Sequence, residues 1–158
     1  MYITYLKELK NNPIKAGVTR NYPIIPINEI EISQLEQLYN SNNPCPTALK
    51  ELLYLAGGSC YVLDYGLNET QQQLQEFVRD EMLDEGRVIT RPFYVIDVYN
   101  ALDQFLFVYL DEGNNPAVYE GHYVDEITRN NWITPVSSSL SKYIDDLVLR
   151  VKKGQNPF

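Results

Sequence analysis

Between Glu29 and Gly58 the sequence EIEISQLEQLYNSNNPCPTALKELLYLAGG admits one local solution: a helix, a turn, a second helix and an abrupt exit. Asn28 can accept a backbone N–H as an N-cap, and Glu31, three residues on, completes a capping box. Ile32, Leu35 and Leu38 then repeat on one face, with Tyr39 beside them. Asn40-Ser41-Asn42-Asn43-Pro44 is turn chemistry, and Pro44 and Pro46 bar a helix from running through. Pro46 fits the first turn of the next helix, where a missing N–H costs little. Leu49, Leu52, Leu53 and Ala56 follow at the spacing of a buried stripe, and Gly57 is placed as a left-handed C-cap. The rest of the chain has to pack on this hairpin.

Ahead of it, residues 2–10 read as a short helix with Ile3, Leu6 and Leu9 inward, stopped by Asn11-Asn12-Pro13. Residues 13–27, with Pro13, Pro23 and Pro26, read as an extended arm whose docking is left open. The chain therefore divides into this N-terminal helix and arm, 1–27, and a domain, 28–158.

Beyond the hairpin, residues 59–65 alternate as a strand and Gly66-Leu67-Asn68 turns the chain. Asn68 or Thr70 can cap a helix to about Glu85 with Leu74, Phe77, Val78 and Met82 inward and its glutamines outward. Residues 93–99 and 104–110 are the strongest strands, apolar at nearly every position and so expected at the centre of a sheet, joined by a hairpin at 100–103. A turn at 111–116 leads to an expected edge strand at 117–120, and 121–135 reads as irregular. Ser137 to Ser139 offer an N-cap for a last helix with the stripe Leu140, Tyr143, Ile144, Leu147, Val148 and Val151, closed by Lys152, Lys153 and Gly154. The expected class is α+β, an antiparallel meander flanked by helices in a single domain.

Several residues of this plan, taken together, resemble the SUKH superfamily, the Smi/Knr-type domains common among bacterial immunity proteins. Ile32, Leu35-Glu36, Leu38, Pro46, Ala48-Leu49-Lys50-Glu51-Leu52-Leu53 and Gly57-Gly58 follow that family's pattern in order. Looser likeness extends through 93–97, 105–110, the Pro116-Ala117-Val118-Tyr119 strand and the last helix. Leu55-Ala56 before the glycines, where many members have an aromatic or Asn, and the extra helix in 65–92 depart from it. The resemblance implies an immunity protein that covers and blocks a cognate bacterial toxin, commonly a nuclease, in the cytoplasm; eukaryotic relatives suggest a regulatory scaffold as the alternative.

Charge decides which partners are compatible. A formal net charge of −8 repels phosphate backbones and anionic membranes and attracts a basic protein. Asp80, Glu81, Asp84 and Glu85 stand i,i+4 to one another at the end of a helix, where like charges repel and the dipole prefers cations, with Arg79 and Arg87 compensating in part. These four are the expected toxin-binding residues. Tyr94, Asp103, Asp111, Glu112, Tyr119 and Tyr123 are rim candidates, since tyrosine, present 13 times, suits half-exposed contact positions.

Chemistry beyond binding has little to work with. One histidine, His122, lies near Asp125 and Glu126, and Asp64, Asp97 and Asp111 could converge at strand ends as a carboxylate site for a small hydrolase, the least favoured reading. No phosphate-binding glycine loop, zinc-protease helix or serine elbow occurs, and Gly113 and Gly121 read as turn residues. Cys45 and Cys60 are too few for a zinc site and read as reduced thiols, so no metal, cofactor or disulfide is expected. Lys7, Glu8 and Lys10 interrupt any signal peptide, and no apolar run spans a membrane, which points to the cytoplasm.

Overall fold

The computed structural model describes residues 1–16, 21–99, 103–123 and 131–157. Asn28 caps α2 (Glu29–Tyr39) as expected: its side chain accepts the Glu31 N–H at 2.9 Å, and the Glu31 carboxylate accepts the Asn28 N–H at 3.0 Å. Ile32 and Leu35 are buried, but Leu38 is not. Successive steps of three residues drift by about 60° around a helix, so the stripe leaves Leu38 behind and takes in Tyr39 instead. In α3 (Thr47–Ala56) the expected stripe of Leu49, Leu52, Leu53 and Ala56 is fully inside.

Gly57 is a glycine for a different reason than expected. Its φ is −66°, right-handed rather than left-handed, but a Cβ there would stand 2.6 Å from the Leu53 carbonyl oxygen and 2.8 Å from Ile27 Cγ1. Close approach of the Leu53 carbonyl, with Ile27 of the arm packed beside it, and not a left-handed backbone, excludes a side chain.

The N-terminal segment is fastened by one carboxyl group. Glu51, on α3 and wholly buried, accepts the backbone N–H groups of Thr4, Tyr5 and Leu6 at 2.6, 2.8 and 2.9 Å. Because those residues are turned onto Glu51, helix α1 (Lys7–Asn11) begins later than its periodicity suggested, while Ile3, Leu6 and Leu9 still point inward. The arm docks as well. It forms a small hairpin of β1 (Ile14–Lys15) and β2 (Tyr22–Pro23), then bonds to the exit from α3 through Ile25 N–H to Ser59 O at 2.9 Å and Gly58 N–H to Ile25 O at 2.8 Å.

Residues 59–65 do not form the expected strand. After a single antiparallel bridge between Ser59 and Ile25 the backbone turns at Tyr61 and Val62, so no ladder forms, and Cys60 to Leu63 are all buried. The segment instead runs into the edge of the main sheet, where Val98 N–H bonds Asp64 O at 2.9 Å. It is followed by α4 (Gln71–Asp84), capped by Thr70.

The main sheet is antiparallel in the order β3 (Phe93–Tyr99), β4 (Gln104–Tyr109), β5 (Val118–His122), β6 (Ile133–Ser137). Two expectations change here. The strand expected at the edge, β5, is internal because β6 pairs with it, and Pro135 inside β6 had disguised that strand; proline is tolerated at a sheet edge. Gly121 is therefore a strand residue opposite Phe105, not a turn residue. A third expectation fails as well: β3, expected at the centre, is an outer strand, and six of its seven residues are buried because both its faces and its free edge are covered.

One side of the sheet, including Tyr94, Ile96, Leu106, Val108 and Val118, packs against α1, α2, α3 and α5 (Leu140–Lys152). The other, including Phe93, Val95, Val98, Phe105 and Phe107, packs against Leu74, Val78 and Met82 of α4. The result is an α+β fold of one compact domain, as expected, with the last helix capped by Ser139 and its stripe inward.

Candidate functional site

α4 ends in four carboxylates close together in sequence, and its local sequence explains where they point. Leu74, Val78 and Met82 fix which face turns to the sheet. The helix closes in a Schellman turn, Arg87 N–H to Met82 O at 2.7 Å and Gly86 N–H to Leu83 O at 3.1 Å, with Gly86 at φ +64° where a side chain would be strained. Asp80, Glu81, Asp84 and Glu85 are left on the outside of that last turn, all exposed. None of the four forms an ion pair with another described residue.

The expected partial compensation by Arg79 does not occur. Its guanidinium is drawn inward, 4.5 Å from the Tyr39 ring centre and 4.3 Å from that of Phe93, donating to Gln75 O and Phe93 O at 3.0 Å each. Arg87 likewise turns toward the sheet, donating to Tyr123 O at 3.1 Å and lying 5.5 Å from the Trp132 ring. Four like charges thus add to the negative pole of the helix, and no described side chain pairs with them to cancel it.

The glutamines expected outward are divided. Gln71 and Gln75 are buried and hold α4 in place: Gln71 bonds Gly57 O at 2.8 Å and accepts the Tyr94 hydroxyl at 3.1 Å. Tyr94 is consequently no rim residue. Strand alternation turns it into the helical layer, where it is fully buried and edge-on to Tyr39. Tyr123 is corrected in the same way. It is buried, packed in one cluster with Leu74, Val78 and Met82 of α4, its ring stacked on Phe105 at 5.0 Å, and its hydroxyl has no hydrogen-bond partner among the described residues.

The remaining rim candidates lie elsewhere. Asp111, Glu112 and Tyr119 gather where β3 begins and β4 ends, around Arg91, which bonds Asp111 and, at 3.1 Å, Glu112. Tyr119 donates to Glu112 at 3.0 Å, and the guanidinium lies 3.8 Å from the Tyr109 ring centre. Bonding to Arg91 holds the Asp111 carboxyl below its usual range. Here one guanidinium serves both carboxylates, so their charge is offset in part. Asp103 is exposed at the opposite end of β4, its carbonyl accepting the Tyr123 N–H at 3.1 Å.

His122 lies on β5 with Nδ1 2.6 Å from Gln104 Nε2 and Nε2 3.3 Å from Glu120; Asp125 and Glu126 lie outside the described residues. Of the three strand-end aspartates, Asp64 and Asp97 meet, the Asp64 N–H donating to Asp97 Oδ1 at 2.7 Å, while Asp111 is held by Arg91 at the far end of the sheet. Among the described residues no three His, Cys, Asp or Glu side chains gather as metal ligands. Cys45 and Cys60 are free and buried, and burial pushes both thiols up to about 12. No described helix is long and apolar enough to cross a membrane. A surface groove of about 590 Å³ is lined by Ile24, Ile27, Tyr54 and Leu55, and the Glu31 carboxylate in its lining is engaged in the α2 cap.

The sequence reading missed two apolar residues at the end of α4: Leu83 is 73% exposed and Val88 70% exposed. The available signal was phase, because Leu83 follows Met82 directly and so falls off the Leu74-Val78-Met82 stripe. The chain matches no protein-family model, no curated protein and no solved structure.

Proposed function

We propose that this chain is an immunity protein of the SUKH type, which neutralises a basic bacterial toxin, a nuclease by preference, by binding over its cationic surface. The observation that carries this reading is the unpaired acidic end of α4. Two i,i+4 pairs of like charge, placed where the helix dipole also opposes them, weaken the free fold by a few tenths of a kcal/mol each. Arg79 and Arg87 both turn away from them. Such an arrangement is explained by a partner that supplies the missing cations, at the expense of stability in the free chain.

The residues that carry the SUKH resemblance support the family through packing alone. Ile32, Leu35, Ala48, Leu49, Leu52 and Leu53 are core residues and Gly57 is a close-approach glycine. They speak for an architecture and are silent on the partner. Charge supplies that part: a nuclease binds phosphate with lysines and arginines, and a carboxylate cluster occupies the same groups, accelerates association and excludes the substrate.

Capture on the immobilised chain from lysate of its source at low and high salt, followed by cloning of whatever is retained, tests this. The expected result is a polypeptide whose expression arrests growth and whose toxicity is relieved by co-expression of this chain but not of its Asp80→Lys/Glu81→Lys/Asp84→Lys/Glu85→Lys variant. Rescue by that variant as effective as by the unaltered chain would remove the α4 face from the reading. Retained proteins that are harmless to growth would sink the immunity function itself.

A further inference from the structure

Charge alone is a poor anchor, since exposed ion pairs contribute little and salt screens them. Tight interfaces carry a few apolar side chains inside a polar rim. The end of α4 has both parts. Leu83, three-quarters exposed, lies one turn after Asp80 and next to Asp84, and Val88, similarly exposed, follows the Schellman turn that carries Glu85 and Gly86. Single exposed leucines are ordinary. Here a leucine and a valine stand at a helix end whose carboxylates have no counter-ion among the described residues, and neither serves the stripe that holds the helix to the sheet.

Resting on the immunity reading above, we infer that Leu83 and Val88 are the apolar anchors of the interface, and that the partner surface presents lysine and arginine side chains around an apolar recess. Charge selects this occupant over others. A second copy of the chain would set the same carboxylates against one another across a two-fold axis, and an anionic lipid surface or a nucleic acid would meet like charge.

Two fluorescently labelled peptides serve as probes, each with ten lysines, one interrupted by two leucines and the other by two serines. At low salt the chain should bind the leucine peptide about tenfold tighter than the serine peptide. The Leu83→Ser/Val88→Ser variant should lose that preference while keeping its affinity for the serine peptide, with an unchanged circular dichroism spectrum and melting temperature, because both side chains are already in water. Equal affinity for the two peptides, or a preference that survives in the double variant, overturns the anchor assignment and leaves the acidic-face reading standing. If the serine peptide fails to bind, or binds the Asp80→Lys/Glu81→Lys/Asp84→Lys/Glu85→Lys variant as well as the unaltered chain, the acidic-face reading falls, and the anchors with it.

Discussion

The side chain of Gln75 pairs with the backbone of Val95 as a strand would: Nε2 donates to Val95 O at 2.8 Å and Oε1 accepts the Val95 N–H at 2.9 Å. One amide on α4 thus caps the free edge of the sheet, where unpaired groups would otherwise recruit another chain. Gln75→Leu removes both bonds and leaves a buried N–H and C=O unsatisfied. We expect a loss of about 2–4 kcal/mol in urea unfolding, together with self-association visible by sedimentation. A variant of native stability that stays monomeric would refute the edge-capping role.

Glu51 holds residues 4–6 by three backbone N–H groups that have no other acceptor there. In Glu51→Ala these donors are stranded around a cavity. The expected cost is about 3 kcal/mol or more, with rapid amide exchange at Thr4, Tyr5 and Leu6 and early proteolysis ahead of residue 12. Unchanged exchange at those three amides would show that the segment is held by Leu6 and Leu9 alone.

Gly121 lies opposite Phe105, whose ring crosses the strand to stack on Tyr123. A Cβ at residue 121 would stand 2.6 Å from Phe105 Cε1, well inside contact distance. Gly121→Ala should therefore cost about 1–3 kcal/mol by overpacking, and the double variant Gly121→Ala/Phe105→Leu should recover part of that loss. Additive effects in the double variant would locate the strain elsewhere.

Burial raises the Asp97 carboxyl well above its ordinary 3.8, against the smaller opposing effect of the Asp64 N–H. The folded chain therefore holds this proton more firmly than the unfolded chain. Its contribution to stability is complete below pH 3.8 and is lost as pH rises toward and through the folded pKa. Asp97→Asn keeps the acceptor for the Asp64 N–H and removes the titration. We expect its stability relative to the unaltered chain to climb as pH goes from 4 to 8. A difference that is flat across this range would mean that Asp97 ionises as it does in water.

Neutralising the α4 end, Asp80→Asn/Glu81→Gln/Asp84→Asn/Glu85→Gln, should stabilise the free protein by about 1 kcal/mol, summed over repulsive pairs and the helix dipole. For a domain of this size that is a rise of roughly 2–4 °C in Tm. The gain should shrink at high salt as screening weakens the repulsion it relieves. A fall in Tm would show that the carboxylates serve the fold and would deprive the binding site of its physical motive.

Local signals carried much of this protein. The Asn28–Glu31 capping box, the α3 stripe, the Ser139 cap and the stripe of α5 each depend on residues within one or two helical turns, and the helical period alone specifies them. The continuous apolar runs of β3 and β4 marked both as strands, but of the central positions expected for them only that of β4 holds. The exposed position of the four α4 carboxylates also followed from phase, since Leu74, Val78 and Met82 assign the opposite face to the sheet. What tertiary structure decided were the relations between residues distant in sequence. Gln75 is buried because it meets Val95, Gly57 is glycine in part because Ile27 packs beside it, and Tyr94 and Tyr123 lie inside because helices cover them. Likewise β6 is a strand because β5 offers it a ladder, despite Pro135. Periodicity specifies which way a side chain points within its own element; whether another element stands there depends on long-range packing, and that only the assembled fold supplies.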